Sequence, residues 1–206
     1  MRLLLITFLA TSLFTHVAVS QAASTGDECA VYNALMKSTY RDERVEFPTD
    51  SYYVIYRQTK IEDDLHLDVA KNHRDLAASF IAANKYPASL TSNLDFAKYY
   101  LVEEQEINEY FEKAQAEIKA IEAEAKAQNA GVIILPTNYW RLFHQKYPNA
   151  YGLYSLSRVG FSRNKEYALV QIVRDSALTG YSRTYLLRKV KGTWEPITWS
   201  GSSSIS

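Results

Sequence analysis

The stretch 147–173, YPNAYGLYSLSRVGFSRNKEYALVQIV, limits the fold more than any other part of the chain. Two runs rich in aromatic and β-branched residues, 151–161 and 166–174, flank the polar turn Ser162-Arg163-Asn164-Lys165. Such runs read as adjacent strands. A second pair follows. Residues 181–190 alternate, with Thr184, Leu186 and Val190 on one face and Tyr181, Tyr185 and Leu187 on the other. Lys191-Gly192 makes a tight hairpin turn, and 193–199 runs back with Pro196 marking an edge strand. A sheet of this kind has to be covered, and the residues before it supply helices.

Cys29, Tyr32, Leu35, Met36 and Tyr40 form one apolar stripe, which predicts a helix over 27–40 with Asp27 and Glu28 in its first turn. SYYVIYRQT (51–59) predicts a strand, and a second helix is expected over 69–84 with Leu76, Ala77, Phe80 and Ile81 inward. A short strand is expected over 98–102. The segment 103–128 is built largely of strong helix formers, and Ile107, Phe111, Ala114, Ile118, Ile121 and Ala125 recur at spacings of four and three. That seam covers fewer than three heptads, so a helix laid on the protein's own sheet is the favoured reading and a coiled-coil dimer the alternative. Asn129-Ala130-Gly131 ends it, and Thr137 is placed to cap a short helix over 138–146. Together these elements predict a single α+β domain over 27–200. Its antiparallel sheet ends in a four-strand meander from 151 to 199, with helices packed on one face. The Ser/Gly-rich residues 201–206 are expected to be a flexible tail.

The start of the chain has the layout of a secretory signal peptide. Met1-Arg2 is followed by an apolar run, 3–14, and then by small residues ending in Ala22-Ala23. The run is too short to span a bilayer, for which about 20 apolar residues are needed. Cleavage after Ala22 is expected, leaving about 180 residues, enough for one domain with a sizeable core and no transmembrane segment. Cys29 is the only cysteine and cannot form an internal disulfide, so it is read as a buried thiol.

Formal net charge is zero, but the halves differ. From Tyr139 onward ten Lys and Arg face three acids, Glu166, Asp175 and Glu195. Attraction between acidic and basic parts of one domain is the simpler reading, and a basic patch for an anionic partner is the sharper one.

No catalytic constellation is recognisable. There is no Gly-x-Ser-x-Gly elbow and no glycine-rich phosphate loop, and no cofactor is implied. Asp64-x-His66-x-Asp68 followed by His73 is the one arrangement resembling metal ligands, but no established metal motif accompanies it, and no metal site is assigned. Arg158, Arg174, Arg183, Arg188, Lys189 and Lys191 lie on or beside strands near Tyr167, Tyr181 and Tyr185. Export argues against nucleic acid as partner and favours an anionic envelope component. Arg158, on a central strand, either pairs with a carboxylate of the long acidic helix or points into a ligand cleft, and the internal pair is the favoured reading.

Trp140-x-x-Phe143, Tyr147-Pro148, Gly152, Ser155-x-Ser157-Arg158-Val159-Gly160-Phe161, Ala168-Leu169-Val170 and Gly192-x-Trp194 form a recognisable pattern. In these residues the last third of the chain resembles a group of exported bacterial proteins with no assigned activity. In that group Asn commonly follows Gly-Phe, where this chain has Ser162. The resemblance implies a bacterial envelope or secreted protein and brings no functional residue with it. The expected function is therefore a non-enzymatic exported binding or interaction module, periplasmic or secreted. Its expected partner is an envelope protein or an anionic small ligand, with Tyr154, Arg158 and Tyr185 as candidate ligand-binding residues. The alternative is a small enzyme with its site in the concave face of the sheet.

Overall fold

The computed structural model describes residues 24–43, 50–61, 63, 65–91, 94–96 and 98–205. The expected signal segment lies outside them. The helices are α1 (Gly26–Glu43), α2 (Arg74–Ala83), α3 (Glu104–Ala127) and α4 (Pro136–Lys146). The strands are β1 (Tyr52–Tyr56), β2 (Tyr99–Val102), β3 (Ala150–Leu156), β4 (Gly160–Phe161), β5 (Tyr167–Asp175), β6 (Thr179–Val190) and β7 (Thr193–Ile205). Among the described residues no helix is long and apolar enough to cross a membrane.

The fold is α+β, but the expected antiparallel sheet is corrected. One seven-stranded mixed sheet runs in the order β2-β1-β3-β5-β6-β7, with β4 paired to β5 off that path. Strand β1 is parallel to both neighbours, β2 and β3, while β3–β5, β5–β6 and β6–β7 are antiparallel. Parallel pairing arises because helical crossovers, not tight turns, separate these strands in the chain. Between β3 and β4, Ser157 keeps the connection to β5: its N–H donates to the Gln171 carbonyl and its Oγ accepts the Gln171 N–H.

The helices pack on both faces of the sheet, not on one. Strand β1 shows why. All five of its residues, YYVIY, are buried. Tyr53 and Ile55 join Val31, Tyr32, Leu35 and Met36 of α1 on one face. Tyr52, Val54 and Tyr56 join Ile107 of α3 and Phe143 of α4 on the other. On this second face, farther along the sheet, Leu76 and Phe80 of α2 pack on Leu169 and Leu186. There Gly160 lies against α2 so closely that a Cβ would stand 2.4 Å from the Phe80 Cα. These are called below the α1 face and the α3 face.

Local signals explain the ends of the elements. Thr25 and Glu28 form a capping box on α1: the Thr25 N–H donates to Glu28 Oε2 at 2.8 Å and the Glu28 N–H to Thr25 Oγ1 at 3.2 Å. Helix α3 closes with Asn129 at φ 52°, and the Ala130 and Asn129 N–H groups return to the carbonyls of Ala125 and Lys126. Helix α4 begins at Pro136, two residues earlier than expected, and Asn138, not Thr137, serves its start by accepting the Leu135 N–H. The β6–β7 turn has positive φ at both Lys191 (50°) and Gly192 (88°), which suits the right-handed twist of a hairpin. The expected tail at 201–206 is strand to Ile205, because β6 begins at Thr179 and its first residues pair with Ser202, Ser203, Ser204 and Ile205. Backbone pairing there outweighs the poor strand propensity of Ser and Gly.

Candidate functional site

Arg158 follows the end of β3, where the strand pattern breaks. Asn84 clasps its backbone from both sides, accepting the Arg158 N–H at 2.8 Å and donating to its carbonyl at 3.0 Å. The guanidinium is thereby aimed at Glu28, with Nε 3.1 Å from Oε1 and Nη2 3.4 Å from Oε2. The favoured internal pair is present, but its carboxylate belongs to α1 and not to the long acidic helix. Side-chain exposure is 21% for Arg158 and 2% for Glu28. Glu28 also caps its own helix and accepts the Val159 N–H at 3.4 Å. Beside this pair the Tyr32 hydroxyl donates to the Ser157 carbonyl at 3.0 Å, and burial holds the Tyr32 phenol well above its ordinary range. Arg158 thus locks α1 to the end of β3.

Tyr154 and Tyr185 lie elsewhere, together on the α1 face. Cross-strand register places Tyr154 opposite Arg174 and Arg174 opposite Tyr181, so three strands contribute one row. Tyr53 joins it from β1, its ring centroid 4.9 Å from that of Tyr154 and 5.1 Å from that of Tyr151. The Arg174 guanidinium lies over Tyr181 at 4.9 Å and donates to Thr179 Oγ1 at 3.1 Å. In the next row Arg183 sits opposite Gly201. A Cβ at position 201 would stand 2.0 Å from the Ser182 carbonyl oxygen, so only glycine permits this close pairing of β7. The Arg183 guanidinium lies over two rings, 4.3 Å from Tyr181 and 4.4 Å from Trp199. Nη1 is 3.5 Å from Tyr185 Oη, and Nε is buried without a hydrogen-bond partner. No ion pair among the described residues involves Arg183.

Two π-systems contact that guanidinium, and its N–H groups are what can meet an oxyanion. Trp199 is half exposed, so this end of the row reaches solvent. Of the candidate residues, the structure brings Tyr154 and Tyr185 to one face and sets Arg158 apart in a structural pair. Sequence reading counted Arg174 and Arg183 among the basic strand residues but missed Trp199. The alternation of β6 puts Tyr181, Arg183 and Tyr185 on one side; the partner ring depends on the register of β7, which shifts between Leu186 and Leu187.

Three of the other basic residues are used internally. Lys165 pairs with Asp27 at 2.7 Å, Arg158 with Glu28, and Arg141 with Glu117, so three ion pairs join the basic C-terminal part to the acidic part before it. Asp64 of the sequence cluster lies outside the described residues. His66 donates its backbone N–H to Thr184 Oγ1 at 3.4 Å and Asp68 opens a short 3-10 turn, Asp68–Ala70. Among the described residues no three His, Cys, Asp or Glu side chains are grouped to hold a metal ion. Cys29 is buried, with Thr91 Oγ1 at 3.5 Å and Ser24 Oγ at 3.6 Å from its sulfur. Comparison with known proteins finds no matching family model, no matching curated protein and no matching solved structure.

Proposed function

We infer that this chain is an exported, non-enzymatic binding protein that takes a small oxyanion, a carboxylate or phosphate group, at the tyrosine-lined end of the α1 face. The observation that carries this reading is Arg183, in contact with the rings of Tyr181 and Trp199 and with a buried Nε–H that meets no acceptor. A buried donor left unpaired costs about 1–3 kcal/mol, and an incoming oxyanion removes that cost. Charge-assisted hydrogen bonds of this type are among the strong ones. Arg174 adds a second cation in the adjacent row of side chains on the same face, and Tyr154, Tyr181 and Tyr185 supply a wall that is apolar in its rings and polar at its hydroxyls. Binding is preferred over catalysis because the groups beside the arginines are phenols. Phenols donate hydrogen bonds to a bound oxyanion and supply apolar ring surface around it. Export rests on the layout of residues 1–22 and on the resemblance of the C-terminal pattern to exported bacterial proteins.

The test is a thermal melt of the mature protein with inorganic phosphate, citrate and glycerol phosphate. A ligand at a hundred times its dissociation constant adds about 2.7 kcal/mol, a shift of several degrees in a domain of this size. The expected result is stabilisation by at least one probe in the wild type and none in Arg183→Gln. Absence of any shift, or an equal shift in Arg183→Gln, overturns the reading.

A further inference from the structure

We propose that the opposite face of the sheet carries a second site, a cleft for a neutral saccharide between the α3–α4 hairpin and the ends of β5, β6 and β7. The cleft has a volume of about 310 Å3, at the small end of the roughly 300–1,000 Å3 usual for small-molecule sites. Tyr56, Phe111 and Trp140 line it on the helix side and from β1, and Asp175, Ser176 and Ser204 line it from the sheet's end. It does not depend on the oxyanion site, since Asp175 and Arg174 are successive residues of β5 and point to opposite faces.

The two walls match the two sides of a sugar. A pyranose ring presents a patch of C–H groups on its face and hydroxyls around its rim. Aromatic side chains take the first and fixed polar groups the second. The aromatic wall is held in place. Trp140 meets Phe111 edge to face at 5.2 Å and Phe143 likewise at 5.1 Å, so its orientation is set by packing on both sides. The polar wall offers a carboxylate flanked by two hydroxyls. A carboxylate has about four acceptor positions, enough to take two neighbouring sugar hydroxyls beside other contacts. Gly180 lies in the lining between these groups: a Cβ there would stand 3.1 Å from Ser204 Oγ and 3.8 Å from Asp175 Oδ1. Glycine keeps that space clear. The charge of the lining selects against other ligands. Asp175 is the one carboxylate among the lining residues and none of them is Lys or Arg, so the lining favours a neutral polyol over phosphates and carboxylates.

Isothermal titration calorimetry of the mature protein with maltose, lactose and N,N′-diacetylchitobiose tests the proposal. Saturable binding of at least one of the three is expected. Asp175→Asn should weaken it roughly ten-fold, the loss that follows when a hydrogen bond to a charged group becomes one to a neutral amide. Ser204→Tyr, on the exposed edge strand, should fill the cleft and abolish binding without touching the core. Arg183→Gln should leave saccharide binding unchanged, which separates this site from the oxyanion site. No heat with any of the three sugars up to tens of millimolar overturns the proposal, and so does an unaltered affinity in Asp175→Asn.

Discussion

On the α1 face the core runs unbroken from Tyr53 to Trp194. On the α3 face it is split into two clusters, one under α3 and α4 around Leu153 and one under α2 around Leu169 and Leu186. Ser155, Gln171, Ser182 and Thr184 lie between those clusters, all buried, and form a polar stripe across β3, β5 and β6. The Gln171 side chain donates to Ser182 Oγ at 3.1 Å, and Thr184 Oγ1 accepts the His66 N–H. The contrast separates two ways of covering one sheet. A single amphipathic helix over a continuous apolar face needs one strong lock at its end, which the Glu28–Arg158 pair provides. Two helical units over a divided face need something between them that neither unit contributes, and hydrogen-bonded polar residues hold that gap without joining the units into one core.

Breaking the lock should have the largest effect. Arg158→Ala leaves the Glu28 carboxylate buried without its cation and is expected to cost about 3–5 kcal/mol in chemical denaturation. The double variant Arg158→Ala, Glu28→Gln should recover part of this. An Arg158→Ala protein as stable as the wild type would mean that α1 is held by its apolar stripe alone.

The stripe comes next. Gln171→Leu removes the amide that meets Ser182 and is expected to cost about 1–3 kcal/mol, since a buried hydroxyl loses its partner. Greater stability in the variant would show that the division of the α3 face is passive and that the two clusters merge when allowed.

The smallest effect concerns pH. His144 on α4 packs against Trp140 and Phe143, and burial holds its imidazole below the ordinary value near 6.5. In the unfolded chain the ring protonates first as pH falls. The contribution of neutral His144 is therefore complete above about pH 6.5 and is lost as pH drops below it. His144→Gln should flatten the stability profile over that interval, and an unchanged profile would place the acid sensitivity elsewhere.

The same contrast marks what could be read in advance. Helices α1 and α3, the β6–β7 hairpin and the edge position of Pro196 follow from signals within a few residues: a stripe, a run of helix formers, a turn, a missing N–H. The direction of β1 does not, because it depends on partners about fifty and about a hundred residues away. The two-sided cover of the sheet was nevertheless written in β1 itself. YYVIY carries large side chains at every position, and a strand with one wet face alternates instead. The candidate site was legible in part for a similar reason. Alternation along one strand puts Tyr181, Arg183 and Tyr185 on one face, whereas the ring of Trp199 and the pairing of Arg158 with Glu28 are set by register and by a contact spanning 130 residues.

That span has a consequence in time. The hydroxyl of Tyr32 reaches the Ser157 carbonyl across 125 positions, and β1 must await β3 for its inner neighbour. Closing such long loops slows folding, because the entropy of closure is lost before any contact compensates for it. Helix α1 is thus among the last elements to be fully seated. Until the segment around Arg158 has been made, α1 can meet β1 and residues 89–95 but not its lock, and the amino-terminal part of the chain is only loosely held.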